Sequence, residues 1–286
     1  MIDVTFGVLN YNPGLDAAAT AAYIAAVESL AANRSKSLTS EVYLIDQASQ
    51  PELTEQLARR YGFHAITLRR NVGISRGINL LANMARGQYV SLVTSDVTFT
   101  SGLDDTLIAA LRADPKIYQI CPVSDNASLA HQRLLQAHPD GMLIENVSQE
   151  LTIQFWPRSV FDEIGYFDEQ WKACYENLDF TLRAFLNGGH VIVHQGAFCH
   201  HEHNMTSKSG AFESAYDNYM EMPKGPHSIT ARHAILKNMW DAKWPDLDRY
   251  LNIYDTFTQN MGQTRAAMFH AYSKNVYLPY VQEVAY

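Results

Sequence analysis

Carboxylate and amide side chains stand where three apolar segments of the sequence end. Asp46, Asn71 and Asp96 each come at or just after such a segment. In an α/β sheet, ligands bind outside the carboxyl ends of the strands. One polar residue at a strand end is common because turns favour Asp and Asn. Three at one sheet edge indicate a candidate binding site.

Two of these segments offer oxygen atoms for a nucleotide or a metal ion. The Asp46 carboxylate can accept hydrogen bonds from a base N–H or a ribose hydroxyl, although helix N-caps and turns use such a residue more often. In Thr94-Ser95-Asp96, the carboxylate suits Mg²⁺ or Mn²⁺ beside phosphate oxygens. A turn aspartate is the alternative there.

The segment from Asn71 to Asn79 leaves a strand and enters a helix. Gly73 allows close approach of the backbone to a ligand, and the free N–H groups at a helix start favour phosphate. Arg76 adds a fixed positive charge. The spacing matches neither a dinucleotide-binding glycine fingerprint nor a P-loop, so a capped helix start is an equal alternative.

Two further groups of residues can do acid–base or metal chemistry. Glu176 and Asp179 stand at a predicted helix start, where either carboxylate can act as a base. Asp179 can instead form an ion pair with Arg183, four residues on. The histidines of 200–203 do not match the spacing of a zinc motif. We expect one of them at most to bind a metal, with polar surface as the alternative.

The predicted elements alternate between strand and helix, which indicates an α/β fold with parallel strands. Weak periodicity from about 125 to 150 predicts loops. Beyond about 210 the pattern is helical and rich in Tyr, Met and Trp. The strands are predicted at 4–9, 42–45, 65–68, 89–93, 151–155 and 191–193, and the helices at 16–32, 51–61, 74–85, 158–164 and 177–186.

Composition excludes several classes of protein. The 286 residues include 22 Lys and Arg against 30 Asp and Glu, a net charge of −8, which argues against general nucleic-acid binding. The three cysteines lack a Cys-x-x-Cys pair, which favours a reducing compartment and a cytoplasmic location. No apolar run is long enough to predict a membrane span; peripheral membrane contact stays open.

Taken in order, the motifs resemble the inverting family-2 glycosyltransferases of the GT-A fold, in the rhamnosyltransferase-like branch. The resemblance covers about residues 4–203. It is carried by Asn71-Val72-Gly73 with Asn79, by Gly87-Gln88-Tyr89-Val90, by Thr94-Ser95-Asp96-Val97, by Phe161-Asp162-Glu163-Ile164-Gly165-Tyr166-Phe167-Asp168-Glu169 and by the segment from Tyr175 to Arg183.

The resemblance implies an α/β nucleotide-diphospho-sugar transferase fold, with a Rossmann-like mixed sheet flanked by helices. Residues 1–209 would form the GT-A domain, with 1–100 as the nucleotide-sugar half and 101–209 as the acceptor and base half. Residues 210–286 would form a helical C-terminal extension. Its aromatic residues would serve a helical core, an acceptor platform or a homodimer contact.

The resemblance also implies residue roles. Asp46 would recognise the nucleotide base, and Asn71 with Arg76 would lie near the ribose or diphosphate. Asp96 would bind Mn²⁺ or Mg²⁺ together with His201 or His203. The expected donor-binding set is completed by Asn10, Gly73, Asn79 and Ser95.

Two positions depart from the family pattern. Thr94 replaces the first aspartate of the metal motif, which this branch tolerates. Asn177 stands where the usual base aspartate would be, and an amide cannot accept a proton at neutral pH. Asp179, slightly ahead of Glu176, is therefore the expected base.

The predicted function is a metal-dependent inverting transfer of a sugar from a nucleoside-diphosphate donor to an acceptor hydroxyl. The acceptor would be a glycan, a lipid-linked sugar or another hydroxyl compound. A sugar-nucleotide-binding protein with impaired catalysis is the first alternative, because of Asn177. A sugar-phosphate nucleotidyltransferase ranks last, because the first strand is not followed by a glycine-rich basic loop.

Overall fold

Strands and helices alternate through the part of the chain that this computed structural model describes. That part comprises residues 2–127, 149–171, 175–202 and 238–245, with 129, 132–134, 136, 137, 141 and 143–145. The strands are β1 (Val4–Asn10), β2 (Ser40–Gln47), β3 (His64–Leu68), β4 (Tyr89–Thr94), β5 (Val97–Phe99), β6 (Ile117–Ser124), β7 (Leu143–Glu145), β8 (Ile153–Pro157) and β9 (His190–His201). The helices are α1 (Ala17–Asn33), α2 (Pro51–Tyr61), α3 (Ile74–Met84), α4 (Leu103–Ala113), α5 (Ser159–Ile164) and α6 (Glu176–Leu186).

These strands form one mixed sheet in the order β3-β2-β1-β4-β8-β6-β9-β5, with β7 paired to β9. The first four strands are parallel, as the alternation of strands and helices predicted. β8 is antiparallel to both of its neighbours, β4 and β6. β9 runs parallel to β6, and β5 is antiparallel to β9.

Apolar side chains cover both faces of this sheet, which explains why β1 is buried along its whole length. On one face, Tyr23 and Val27 of α1 join a core that includes Phe6 and Phe155. On the other face, α3, α5 and α6 cover the sheet, and Trp156 there meets Phe180 of α6 edge to face. Helices therefore flank the sheet on both sides.

Part of the sheet was not expected from the sequence. No prediction covered β5, α4 or β6, and β7 lies in the stretch of about 125–150 where loops were predicted, so that prediction was wrong at residues 143–145. β9 extends to His201, although only residues 191–193 were predicted as a strand. Polar residues such as Gln195 conceal this strand in the sequence, but most of β9 is buried between its partners.

The parallel pairing brings the carboxyl ends of β1, β2, β4, β6 and β9 to one edge of the sheet. α6 connects to β9 through only residues 187–189, so the helix runs back across the sheet and its first turn lies towards that same edge. In the described residues, no helix is both long and apolar enough to cross a membrane.

Candidate active site

The carboxyl edge of the sheet brings the predicted site residues together. Asn10 and Asp46 are register partners at the ends of β1 and β2. Asp96 lies in the turn between β4 and β5, and His201 is the last residue of β9. Residues far apart in the sequence therefore share one edge.

The Asp46 carboxylate holds the loop that enters α2. It is fully buried and accepts hydrogen bonds from the Ser49 backbone N–H at 2.9 Å, the Ser49 hydroxyl at 2.7 Å and the Gln50 N–H at 2.8 Å. Asn10 Nδ2 donates to the same carboxylate at 3.3 Å. These bonds stabilise a turn in which Ala48 adopts a φ of 58°. A turn-forming role thus accounts for Asp46, and its role in base recognition stays a prediction.

The segment from Asn71 starts α3 through a side-chain turn. Asn71 Oδ1 accepts the Gly73 N–H at 2.8 Å, and Gly73 precedes the helix with a φ of 89°. Gln47 Oε1, at the end of β2, accepts the Val72 N–H at 3.1 Å. The loop is therefore tied to the same edge as Asp46.

Arg76 and Asn79 contact the loop before α6. The Arg76 Nε donates to Glu169 Oε2 at 2.7 Å, and both side chains are about half exposed. The Asn79 amide forms two bonds with the backbone of Phe167, at 2.8 and 2.9 Å. These contacts offset the charge of Arg76 and give Asn79 a structural role. Contacts of either side chain with the sugar-nucleotide donor remain predictions.

Asp96 and His201 approach each other across the β5–β9 pair. His201 Nε2 lies 3.6 Å from Asp96 Oδ2, and the Glu202 N–H donates to the Asp96 carbonyl at 2.9 Å. Burial opposes a charge on His201, but the hydrogen bond and the charge of Asp96, with further charge from Glu150 and Asp125, raise its pKa. A negative potential that favours a proton also favours a divalent cation.

The ligand atoms that Asp96 and His201 present fit such a cation. One carboxylate and one imidazole suit Mn²⁺, and Mg²⁺ commonly takes one or two carboxylates together with substrate phosphates. The described residues contain no group of three or more candidate metal ligands. The remaining coordination positions would be left for the diphosphate and water. His203, the other predicted ligand, lies outside the described residues.

Asp125 positions the segment that carries His201 and was not recognised from the sequence. Its carboxylate bonds to His200 Nδ1 at 2.7 Å and accepts the His201 N–H at 3.1 Å. Asp125 follows β6 directly, so it ties the end of β6 to the end of β9. His200 faces Asp125 through this bond, which leaves His201 as the histidine at Asp96.

Glu176 is the first residue of α6, and its enclosed carboxyl oxygen Oε2 has no hydrogen-bond partner among the residues that the structure describes. Because burial disfavours the carboxylate form, the pKa of Glu176 rises to about 7. A carboxyl group with such a pKa can take up and release a proton near neutral pH. These are the properties of a general base.

Asp179 lies in a different environment, although it is in the same turn of the helix. It is fully buried and pairs with Arg183 Nε at 3.1 Å, which confirms the predicted i, i+4 pair. Lys243 Nζ lies 2.7 Å from its Oδ1, and the Trp244 indole N–H donates to the same oxygen at 3.1 Å. The carboxyl oxygens of Asp179 are therefore occupied by these partners, whereas Glu176 Oε2 has no hydrogen-bond partner among the described residues, and this geometry favours Glu176 over Asp179 as the candidate base.

Asn177 belongs to a buried network of amides. Its Nδ2 donates to the Gln149 carbonyl at 2.7 Å, and its Oδ1 lies 3.1 Å from Gln119 Nε2. Gln119 also contacts Gln154 at 3.0 Å and accepts the Trp156 indole N–H at 2.7 Å. An amide at 177 can donate and accept in this network, whereas a carboxylate could only accept.

Residues 238–245, from the region expected to be a helical extension, contact the base region. Trp240 is buried, and its ring lies 5.2 Å from Tyr175 and 6.0 Å from Trp171. Lys243 Nζ bridges Asp179 and Asp168, the latter at 2.5 Å. Trp240 therefore packs into a core, which is the first of the three roles expected for the aromatic residues of the extension. The extension aromatics other than Trp240 and Trp244 lie outside the described residues.

Comparisons with known proteins agree with this architecture. The model of a family described as glycosyl transferase family 2 matches residues 21–168. The structure of S. aureus TarS 1–349 in complex with UDP-GlcNAc aligns with 17% identity and a TM-score of 0.56, covering 76% of this chain and 65% of that one. The complex of TarS 1–349 with UDP aligns with 19% identity and a TM-score of 0.54, covering 70% of this chain and 60% of that one.

A further structure, GalNAc-T7 with UDP, GalNAc and Mn²⁺, aligns with 14% identity and a TM-score of 0.58, covering 70% of this chain and 43% of that one. The chain thus spans less than two thirds of each of these structures. No curated protein sequence matches it significantly. The mixed sheet with helices on both faces is the GT-A fold, so the predicted fold class is confirmed for the described core.

The raised pKa of Glu176 predicts a pH-dependent stability. Between about pH 4.5 and 7, the folded carboxyl binds more protons than the unfolded chain does, so the free energy of unfolding falls as the pH rises through this window. Glu176→Gln should remove this pH-dependent loss of stability, because a glutamine side chain does not titrate. We expect the variant to gain stability over the wild type between pH 5 and 8, by on the order of 3 kcal/mol at most.

Urea denaturation at both pH values measures the difference. Glu55→Gln, at an exposed helical position, is the matched control and should show no such trend. A Glu176→Gln difference that is the same at pH 5 and pH 8 would contradict the assigned environment.

Proposed function

The chain belongs to glycosyl transferase family 2, and from this premise we propose that it moves a sugar from a nucleoside-diphosphate donor to an acceptor hydroxyl with inversion at the anomeric carbon. The observation that carries the proposal is the approach of Asp96 and His201 to 3.6 Å at the carboxyl edge of the sheet. This edge is where α/β folds bind ligands. UDP-sugars are the first donors to test, because TarS has been crystallised with UDP-GlcNAc.

In the proposed reaction, the acceptor oxygen forms a bond to the anomeric carbon as the bond from that carbon to the diphosphate oxygen breaks. The electron pair leaves with the diphosphate, and Glu176 accepts the hydroxyl proton. Asp96 and His201 would hold Mn²⁺ or Mg²⁺, which when bound offsets charge on the diphosphate. Asn10, Asp46, Asn71, Gly73 and Ser95 would line the nucleotide side.

The proposal extends to the organisation of the chain. Residues 1–209 would be the transferase domain, with the donor bound by 1–100 and the acceptor by 101–209. Residues 210–286 would be a helical extension that contributes to the acceptor side through residues 238–245 or to a homodimer. We propose a cytoplasmic location, with contact to a membrane surface as the alternative. General nucleic-acid binding is not expected from an acidic chain.

Asp96 provides the test of metal dependence. Asp96→Ala removes the carboxylate donor, so we expect UDP release from UDP-sugars in Mn²⁺ or Mg²⁺ to fall at least about 100-fold, since charge offset of this kind supplies several kcal/mol. Asp162→Ala, at an exposed position in α5, is the control and should keep the wild-type rate. An undiminished Asp96→Ala rate would overturn the metal assignment.

Glu176 provides the test of the base. Glu176→Gln should lower kcat by roughly 100- to 10,000-fold while the donor KM stays close to that of the wild type. Because the carboxyl must lose its proton to act, the wild-type rate should rise with pH up to about 7 and then level off.

Asp179→Asn distinguishes the two carboxylates. It should lose stability, because Arg183 and Lys243 would lose their shared partner, and it should keep the rise of rate with pH. If that rise disappears in Asp179→Asn and persists in Glu176→Gln, Asp179 is the base.

A sugar-nucleotide-binding protein with impaired catalysis remains the second candidate, because Asn177 replaces the aspartate of the family pattern. The amide network argues against it: residues on β6 and β8 and in the loop before β8 complement an amide at 177. Asn177 therefore fits its surroundings as a structural residue.

Asn177→Asp separates the two candidates. The new carboxylate would face the Gln149 carbonyl without a donor hydrogen, so we expect a loss of about 1–3 kcal/mol in stability and no gain in turnover. Denaturation and UDP release measure these effects. A silent wild-type chain that turns over donor after Asn177→Asp would favour the impaired protein.

A further inference from the structure

Polar groups without partners collect around the first turn of α6. Three hydrogen-bond donors, Trp171 Nε1, Trp240 Nε1 and Gln149 Nε2, and one acceptor, Glu176 Oε2, are enclosed and have no hydrogen-bond partner in the described part of the chain. Leaving such a group buried and unpaired destabilises the folded chain. Several in one place call for a ligand or bound water to complete them.

These groups belong to one cluster. The Tyr175 ring lies 5.8 Å from that of Trp171 and 5.2 Å from that of Trp240. Glu176 follows Tyr175 directly, and Gln149 is bonded through its carbonyl to Asn177. The four residues therefore lie within or beside residues 175–177, the segment that contains the proposed base.

The chemistry of the cluster selects a class of ligand. A hydroxyl group both donates and accepts, so a ring with several hydroxyls can donate to the carboxyl and accept from the N–H groups. Lys243 and Arg183, the cations that contact this region in the described residues, already have carboxylate partners. An anionic ligand would find no unpaired cation in this cluster.

We propose that Trp171, Trp240, Gln149 and Glu176 form an acceptor subsite for a neutral pyranoside, the sugar end of a glycan or glycoside. This assignment rests on the proposed transferase function and gives its acceptor a chemical class. It also gives residues 238–245 a task, because Trp240 supplies one of the donors.

Tryptophan fluorescence tests the subsite without turnover, since the chain has four tryptophans and three of them lie at 171, 240 and 244. The chain, with UDP present, is titrated with the methyl pyranosides of glucose, galactose, mannose and rhamnose, and with glucose 6-phosphate as the anionic probe. We expect a saturable change with at least one methyl pyranoside and a weaker response to the phosphate.

Matched variants test the individual donors. Trp171→Phe and Trp240→Phe keep a ring and remove the unpaired N–H, and each should weaken pyranoside binding by about three- to ten-fold. Trp244→Phe removes an N–H that is already bonded to Asp179, and binding should change less than about two-fold. Equal effects in all three variants would overturn the subsite.

Nucleotide binding, measured separately by thermal shift with UDP and UDP-sugars, separates this inference from the proposed function. A chain that binds UDP and none of the pyranosides overturns the subsite and leaves the transferase proposal intact. A chain that binds a pyranoside with the expected variant pattern, yet binds no nucleotide, supports the subsite and overturns the donor assignment.

Discussion

The candidate active site depends on the pairing of β9 with β6 and β5. β9 is parallel to β6 over most of its length, and its last residues pair antiparallel with β5. Because β5 begins at Val97, directly after Asp96, this pairing sets the distance between Asp96 and His201. The register shift between Pro122 and Val123 of β6 lies along the same pair, and such irregularities re-aim side chains near active sites. Asp125 then fixes the strand end through His200 and the His201 N–H.

The first turn of α6 shows how surroundings divide similar side chains into different roles. Asp179 meets two cations and an indole N–H, so its carboxyl oxygens are already paired. Asn177 meets other amides and needs no charge. Among the described residues, Glu176 Oε2 is enclosed without a hydrogen-bond partner, and burial disfavours the charged form of Glu176 and raises its pKa. A base must gain a proton during the reaction, and the surroundings of Glu176 favour this.

Local patterns predicted the first half of the fold well, and the remaining features depend on contacts that no local pattern records. The strands and helices from β1 to β4 follow apolar periodicity and end at Asp, Asn and Gly, so their order and parallel pairing could be predicted. β9 was predicted only in part because its buried residues include His and Gln, whose burial depends on the neighbouring strands. Asp46 did carry a local signal, since Ser49 follows at the spacing of a side-chain turn. No local pattern indicated the role of Lys243, because its partner Asp179 lies far away in the sequence.

Lys243 links the charge balance of the chain to the choice of base. The chain has eight more acidic than basic residues, so buried carboxylates have few cations to share. Lys243 pairs with both Asp168 and Asp179, and Arg183 pairs with Asp179 again. By occupying the carboxyl oxygens of Asp179, Lys243 and Trp244 of the C-terminal region leave Glu176 as the candidate base of this helical turn, although both residues lie outside the sheet.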